Sequence, residues 1–340
     1  MLARSYTPLS SRVVGCSVLV LLAITMASEV DAAKLLRWKL AKGETIHVRF
    51  LQDMTMEASQ LGKSSADMSM DMKWVVEGVR RDGTFQMKQS IERLQMKMNA
   101  TGIDEINYDS AAEQEESDPV TKSLSDSINP LVGIEFTQNM SARGEILDVK
   151  LAPQDQAKLA KQPANSQLQQ IFSKDGLKAL LSQAATVLPK EAVQPGYQWR
   201  GTTETRSPMG NMHLDLFYTY KGTETRDGRP LERIDVQMTL QFGDEVKALG
   251  LNIDVKDQKN WGTMYFDAEA GRFVETVMNQ NLVLETSLGK QKHEQKLETV
   301  LRMQFASSPQ PTASQVGANG QPVRRNLPAK PVSQPAPAAK

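Results

Sequence analysis

The feature that most constrains this chain is a strict alternation of apolar and polar residues over unusually long runs. Met68, Met70, Met72, Trp74 and Val76 form one such run, and Ile234, Val236, Met238, Leu240 and Phe242 another. A period of two puts every apolar side chain of a run on one side of an extended strand, so these segments are strands with one buried face. Shorter runs repeat the pattern: Ile46, Val48, Phe50; Met212, Leu214, Leu216; Val274, Met278, Leu282, Leu284, Leu288; and Leu297, Leu301, Met303, Phe305. Between Phe85, Met87, Ile91 and Leu94, Met96, Met98 the apolar parity changes from odd to even. One inserted residue has that effect, which predicts a bulge near Arg93. Turn chemistry falls between the runs, at Arg81-Asp82-Gly83, Arg143-Gly144, Asp227-Gly228, Ala270-Gly271 and Leu288-Gly289.

One stretch changes period. Leu177, Leu180, Leu181, Ala184 and Leu188 recur at helical spacing, with Ser173 placed to cap and Pro189 to stop a helix. A shorter helix is expected around Leu168, Ile171 and Phe172, and another over residues 119 to 128, opening at Asp118-Pro119. Residues 104 to 118 hold seven acids and no base, which reads as a solvated loop. The two sides of the helical stretch look alike. Val76-Glu77-Gly78 leads to Arg81-Asp82-Gly83 as Tyr220-Lys221-Gly222 leads to Arg226-Asp227-Gly228, and Phe136, Gly144, Ile146 parallel Phe266, Gly271, Phe273. The fold class expected is therefore mainly β within α+β: two related antiparallel lobes, as curved sheets or half-barrels, separated by a short helical segment.

The ends have other compositions. Arg4 and Arg12 precede an apolar run from Val13 to Ala27, and Val30-Asp31-Ala32 offers small residues before Ala33, the order of a secretory leader. That run is shorter than the roughly 20 residues a membrane-crossing helix needs. Cys16 opens the run, whereas a lipoprotein cysteine would close it, so lipidation there is not expected. Cleavage after Ala32 would remove this single cysteine, and with it disulfides, thiolate nucleophiles and cysteine-based zinc sites. Residues 307 to 340 contain seven of the 16 prolines, four basic residues and no acid, the composition of a disordered tail. The expected organisation is a signal peptide at 1–32, an N-terminal β lobe at 33–152, a helical divider at 153–190, a C-terminal β lobe at 191–306 and the tail at 307–340. The destination is the periplasm or the extracellular space.

Leu36-Arg37-Trp38-Lys39 with Lys42-Gly43-Glu44, Val193-Gln194-Pro195-Gly196-Tyr197-Gln198-Trp199, and Gly262-Thr263-Met264-Tyr265-Phe266-Asp267 before Gly271-Arg272 together resemble a family of uncharacterised exported bacterial proteins, carried as a domain of unknown function. The resemblance implies an exported β protein over most of residues 34 to 305 and no catalytic residue.

Chemistry is sparse. Lys plus Arg equal Asp plus Glu at 40 each, and aromatics are 6%, which gives neither the basic footprint nor the stacking platforms of a nucleic-acid binder. His47, His213 and His293 stand apart, with no ligand-pair spacing. Gly62-Lys63-Ser64 imitates the end of a phosphate loop, but Glu57 stands where the loop needs glycine and a strand follows where a helix should. Ser287-Leu288-Gly289-Lys290 matches a Ser-x-x-Lys pattern on a strand and turn, where the two residues do not share a face. Acids are spread too evenly to name a carboxylate pair. An enzyme is the minority reading, and no cofactor and no metal are expected.

Methionine is what stands out. Eight of 17 lie between residues 54 and 98: Met54, Met56, Met68, Met70, Met72, Met87, Met96 and Met98. Alternation places each pair on one side of its strand. They are the candidate ligand-binding residues, and three readings compete: core filling, a pliable apolar concavity for a lipid-like or peptide ligand, and capture of Cu(I) by thioethers. Alternate residues on one strand lie roughly 7 Å apart, so a facing strand must complete any metal site. The function expected is that of an exported, non-enzymatic binding or scaffold protein, its partner an apolar ligand or a protein. The basic tail would give a weak cell-envelope contact. The alternatives are a periplasmic Cu(I)-handling protein and a hydrolase whose site is assembled from distant residues.

Overall fold

The computed structural model describes residues 32–59, 62–112, 122, 125–126, 128–160, 186–207, 210–243, 251–288 and 291–307. Residues 1–31 of the leader, the expected helices between 161 and 185, and the tail beyond residue 307 lie outside them. Leu188, expected as the last apolar position of the Leu177-centred helix, is described and is not helical, its N–H donating to Arg143 O. The described strands are β1 (Thr45–Ala58), β2 (Gly62–Val79), β3 (Phe85–Ala100), β4 (Ile103–Asp109), β5 (Glu135–Met140), β6 (Ile146–Leu151), β7 (Gln198–Ser207), β8 (Gly210–Arg226), β9 (Arg229–Phe242), β10 (Leu251–Asp267), β11 (Arg272–Leu288) and β12 (Gln291–Ala306). They form one antiparallel sheet in the order β6-β5-β3-β2-β1-β12-β11-β10-β9-β8-β7, with β4 beside β3. β6 and β7 end the path and do not pair with each other, so the sheet does not close into a barrel. A short helix, α1 (Pro153–Ala160), and a 3-10 turn at Asn129–Leu131 accompany it among the described residues.

The alternation does what its period dictates. Ile46, Val48, Met72, Val76, Phe85, Met87, Ile234, Val236, Met264 and Met303 gather on one face, called inner here, into the main core with Leu36, Trp38, Leu188 and Val193. The opposite face is a lattice of ion pairs, among them Arg49 with Asp71, Arg226 and Arg302 with Glu275, and Arg233 with Asp235. The parity change in β3 is a bulge: Asp71 pairs with Arg93 and Met72 with Ile91, leaving Glu92 as the extra residue, one position from the expected site. Asp227 (φ 50°) and Gly228 (φ 74°) occupy left-handed backbone in the two-residue turn between β8 and β9, as Asp-Gly chemistry predicts.

Residues 104 to 109 depart from the expected loop. Ile106 and Tyr108 face Met98 and Met96 of β3, so the acidic segment opens as strand β4, not as solvated coil. Arg93 and Lys97 on β3 pair with Asp109 and Glu105, giving two of the acids cationic partners. Residues 122, 125, 126 and 128 are helical, within the stretch where a short helix was expected.

The sheet is strongly curved at the end where residues 34–40 cross it as a strap. Trp38 N–H donates to Ala142 O and the next amide, Lys39 N–H, to Gly271 O, each at 2.8 Å. Those acceptors sit in the β5–β6 and β10–β11 turns, which a flat sheet would hold about 24 Å apart, five strand spacings. Adjacent amides reach both only because the strand ends draw together. Leu188 N–H likewise donates to Arg143 O (2.8 Å) while Val187 O accepts from Trp199 Nε1 (2.9 Å), tying the β5–β6 turn to β7. Gly271 makes the strap's approach possible, since a Cβ there would lie 2.6 Å from the Lys39 backbone nitrogen.

One hydrogen-bond pattern occurs twice in this single sheet. Gly43 N–H donates to Val76 O and Val76 N–H to Glu44 O; Gly196 N–H donates to Tyr220 O and Tyr220 N–H to Tyr197 O. Bulges interrupt the register after Val76 and after Tyr220, just before Gly78 and Gly222.

Candidate functional site: the inner sheet face

All eight methionines of the 54–98 cluster lie on the inner face, and their burial is graded. Met72 and Met87, nearest the strap, are buried in the main core, and Met70 packs against it. Met96 packs against a smaller cluster of Leu94, Tyr108 and Ile128, and Met54, Met56, Met68 and Met98 are half-buried towards the other end of the strands. Register explains the neighbours. Met68 of β2 stands directly opposite Met96 of β3, Met54 and Met98 both pair with Ala66, and Met56 pairs with Ser64. Across the sheet, Leu240, Leu282 and Leu284 form another cluster, flanked by half-buried Met212, Leu214, Val255 and Leu297.

The paired positions of this face on β1 to β3 and β8 to β12 hold no lysine, arginine or aspartate, and one glutamate, Glu232. Glu232 is neutralised at the strap end, where its carboxylate accepts from Lys34 Nζ (2.7 Å), Tyr220 Oη (2.5 Å) and Thr223 Oγ1 (3.1 Å). The remaining polar positions are amides, hydroxyls and one imidazole, His293. Gln258 bridges to the Leu240 backbone, donating to its oxygen and accepting from its N–H, where β9 and β10 part beyond the Met238–Asn260 pair. Trp74 Nε1, both amide atoms of Gln89 (1% exposed) and Asn260 Oδ1 are buried with no protein hydrogen-bond partner among the described residues. Unpaired buried polar atoms cost about 1–3 kcal/mol each, and a water or a ligand's polar group offsets that.

The histidines do not converge. His47 faces Glu92 at 3.6 Å, and His213 lies 3.5 Å from both Glu204 and Asp215, both histidines on the outer face, whereas His293 points from β12 to the inner one. No group of three His, Cys, Asp or Glu residues suited to a metal occurs among the described residues. Gly62 and Lys63 open strand β2, and Ser287 lies on β11, so neither short motif sits on a helix. A cleft of about 690 Å³ lies elsewhere, where Pro153 of α1 meets Phe136, Val149 and Leu151, with the Lys88–Glu135 ion pair (2.9 Å) beside it. Its polar lining is that ion pair with Thr137, Lys150 and Gln156. Burial pushes the Tyr218 phenol up, and its ring stacks on Trp199 at 5.1 Å, a packing role.

Sequence reasoning identified the methionines and their common face. It missed the polar interior positions Gln89, Gln258 and Asn260, whose signal is a polar residue in the apolar phase of a strand.

Residues 82–229 match the model of a family of unknown function, DUF6263. The match runs from the β2–β3 turn to the start of β9 and bears out the resemblance to a domain-of-unknown-function family. No curated protein matches the chain. Among solved structures it is similar to the hypothetical lipoprotein YmcC of Escherichia coli K12, at 11% identity over 79% of this chain and 89% of that one, with a TM-score of 0.23. It is also similar to an outer membrane channel of Pseudomonas putida F1, at 8% identity over 79% and 97% of the two chains, TM-score 0.23. The translocator domain of the autotransporter NalP of Neisseria meningitidis matches at 7% identity over 81% and 90%, TM-score 0.21.

Proposed function

We propose that this is an exported, non-enzymatic binding or scaffold protein that holds an uncharged or weakly polar apolar ligand on the inner sheet face. The observation that carries the reading is the burial gradient along that face on β1 to β3 and β12: closed by the strap at one end, then half-buried and apolar through Met54, Met56, Met68, Met98, Leu297 and Leu301, beside the buried cluster of Leu240, Leu282 and Leu284. Flexible thioether side chains adapt to varied apolar shapes, and a face without free charges favours a ligand whose polar atoms are few and neutral. The polarity of the sheet, apolar within and ion-paired without, is the reverse of a membrane-crossing barrel's lipid-facing band. The recurrent hydrogen bonds at Gly43 and Gly196 support two related halves sharing the sheet, and the leader's composition supports export. The basic tail adds a weak contact with an anionic surface.

The test is titration with the apolar fluorophore 1-aminoanthracene, together with native mass spectrometry of protein purified from its own host. Saturable binding is expected, with a co-purifying lipid. Met54→Glu should weaken the probe at least about tenfold, or about 1.4 kcal/mol, while melting within a few degrees of the parent. An intact protein that neither saturates with the probe nor carries a lipid overturns the reading.

A further inference from the structure

We propose that Met54, Met68, Met96 and Met98 form a binding site for a soft monovalent cation, Cu(I) or its analogue Ag(I). On β2 alone, successive inner-face methionines are about 7 Å apart, too far for a shared metal to be held without a second strand. β3 supplies that strand. Met96 stands directly opposite Met68, at a cross-strand Cβ separation of about 5 Å, and Met98 follows two residues on along the same face. Met54 enters from β1 on the other side.

The four surround Ala66. Met54 and Met98 are its two cross-strand partners, and Met68 with Met96 form the next row. Ala66 projects only a methyl group, so the space above it is left to the arms around it. Methionine's three rotatable bonds let arms from neighbouring rows turn towards that point. The other methionines of the cluster are placed differently. Met72 and Met87 are buried in the main core, Met70 packs against that core, and Met56 stands a further row out, opposite Ser64.

The donor set decides the metal. Thioethers are soft, neutral ligands that select Cu(I) over Zn(II), Mg(II) or Ca(II), which need imidazole, thiolate or oxygen donors. The described residues offer those harder metals no His, Cys, Asp or Glu group, and no carboxylate occupies a paired inner-face position of β1 to β3. All four methionines are half-buried, shielded by the sheet yet open to an incoming ion. Binding needs no redox step and releases no proton, since the thioether lone pairs donate as they stand.

The experiment uses the full chain with methyl-13C methionine, titrated first with Ag(I) and then with Cu(I) kept reduced by ascorbate. At one equivalent the methyl signals of Met54, Met68, Met96 and Met98 should move, while those of Met72, Met87, Met264 and Met303 stay. Replacing all four by Leu keeps the face apolar at similar volume. It should lower Cu(I) affinity at least about 100-fold in competition with a chromophoric Cu(I) chelator, whereas a Met56→Leu/Met70→Leu protein should stay within about threefold of the parent. Shifts confined to other methionines, no shifts at all, or unchanged affinity in the fourfold Leu variant would each overturn the site. Should that variant not fold, the methyl shifts of the unaltered chain decide. The apolar probe should bind the fourfold Leu protein as it binds the parent, so failure of the metal site and failure of the apolar-ligand reading give separate results.

Discussion

Glu232 shows how far a single residue's environment can lie from its sequence. It stands in the apolar phase of β9, two positions before Ile234, and its side chain is 4% exposed. Its cationic partner, Lys34, is separated from it by 198 residues. No local pattern in β9 announces that pairing, whereas the apolar phase of Ile234 to Phe242 was legible at once. Removing one member of a buried pair leaves an uncompensated charge, typically at about 3–5 kcal/mol. Because Lys34 is partly exposed, Lys34→Met is expected to fall at the low end, about 3 kcal/mol in urea-denaturation free energy, and Lys34→Met with Glu232→Gln should recover most of it. A single variant within about 0.5 kcal/mol of the parent would show that Tyr220 and Thr223 satisfy the carboxylate alone.

At the scale of elements, turns and strand phases were legible because each depends on a few adjacent residues. The bulge at Glu92 came from parity, and the hairpin turns from Asp-Gly and Gly signals. Strand β4 was not legible, because its two inward residues, Ile106 and Tyr108, are outnumbered by acids whose neutralising partners lie on β3. The candidate metal site was half legible for the same reason: alternation gives one strand's face, but which residue meets Met68 depends on the β3 register, which the bulge resets. The β3–β4 pair carries a pH prediction. Hydrogen bonds from Arg93, with others from the Ala111 amide and Gln95, hold the Asp109 carboxyl down to about 2. A carboxylate lowered from its unfolded value of about 3.9 adds stability that is complete above roughly pH 5 and lost as pH falls towards 2. Asp109→Asn should therefore cost about 1 kcal/mol at pH 7, the pair being partly solvated, and the gap in melting temperature from the parent should close near pH 2. A pH-independent gap would assign the loss to geometry instead of charge.

The whole molecule rests on a join that no local signal encodes. β1 and β12 pair from His47–Ala306 to Ala58–Gln295, making one sheet of two halves that are alike in turn chemistry and bulge position. One main core spans that pairing. Trp38 and Trp74 from the first half pack edge-on against Phe305 at 6.1 and 5.7 Å, and Trp38 also meets Phe273 at 5.6 Å, both phenylalanines from the second half. Such aromatic contacts contribute about 0.5–1.5 kcal/mol each beyond the area they bury. A fragment of residues 33–190 would lose all of them, leave the β1 edge unpaired and expose the inner ends of Ile46, Val48 and Trp74 to water. The halves are therefore expected to unfold as one cooperative unit despite their likeness. Chemical denaturation of the full chain, followed by tryptophan fluorescence and far-ultraviolet circular dichroism, should give coincident single transitions, and the 33–190 fragment should lack dispersed amide resonances in solution. Two separated transitions, or a fragment with a native-like spectrum, would mean that each half holds a core sufficient to itself and that the β1–β12 pairing only docks them.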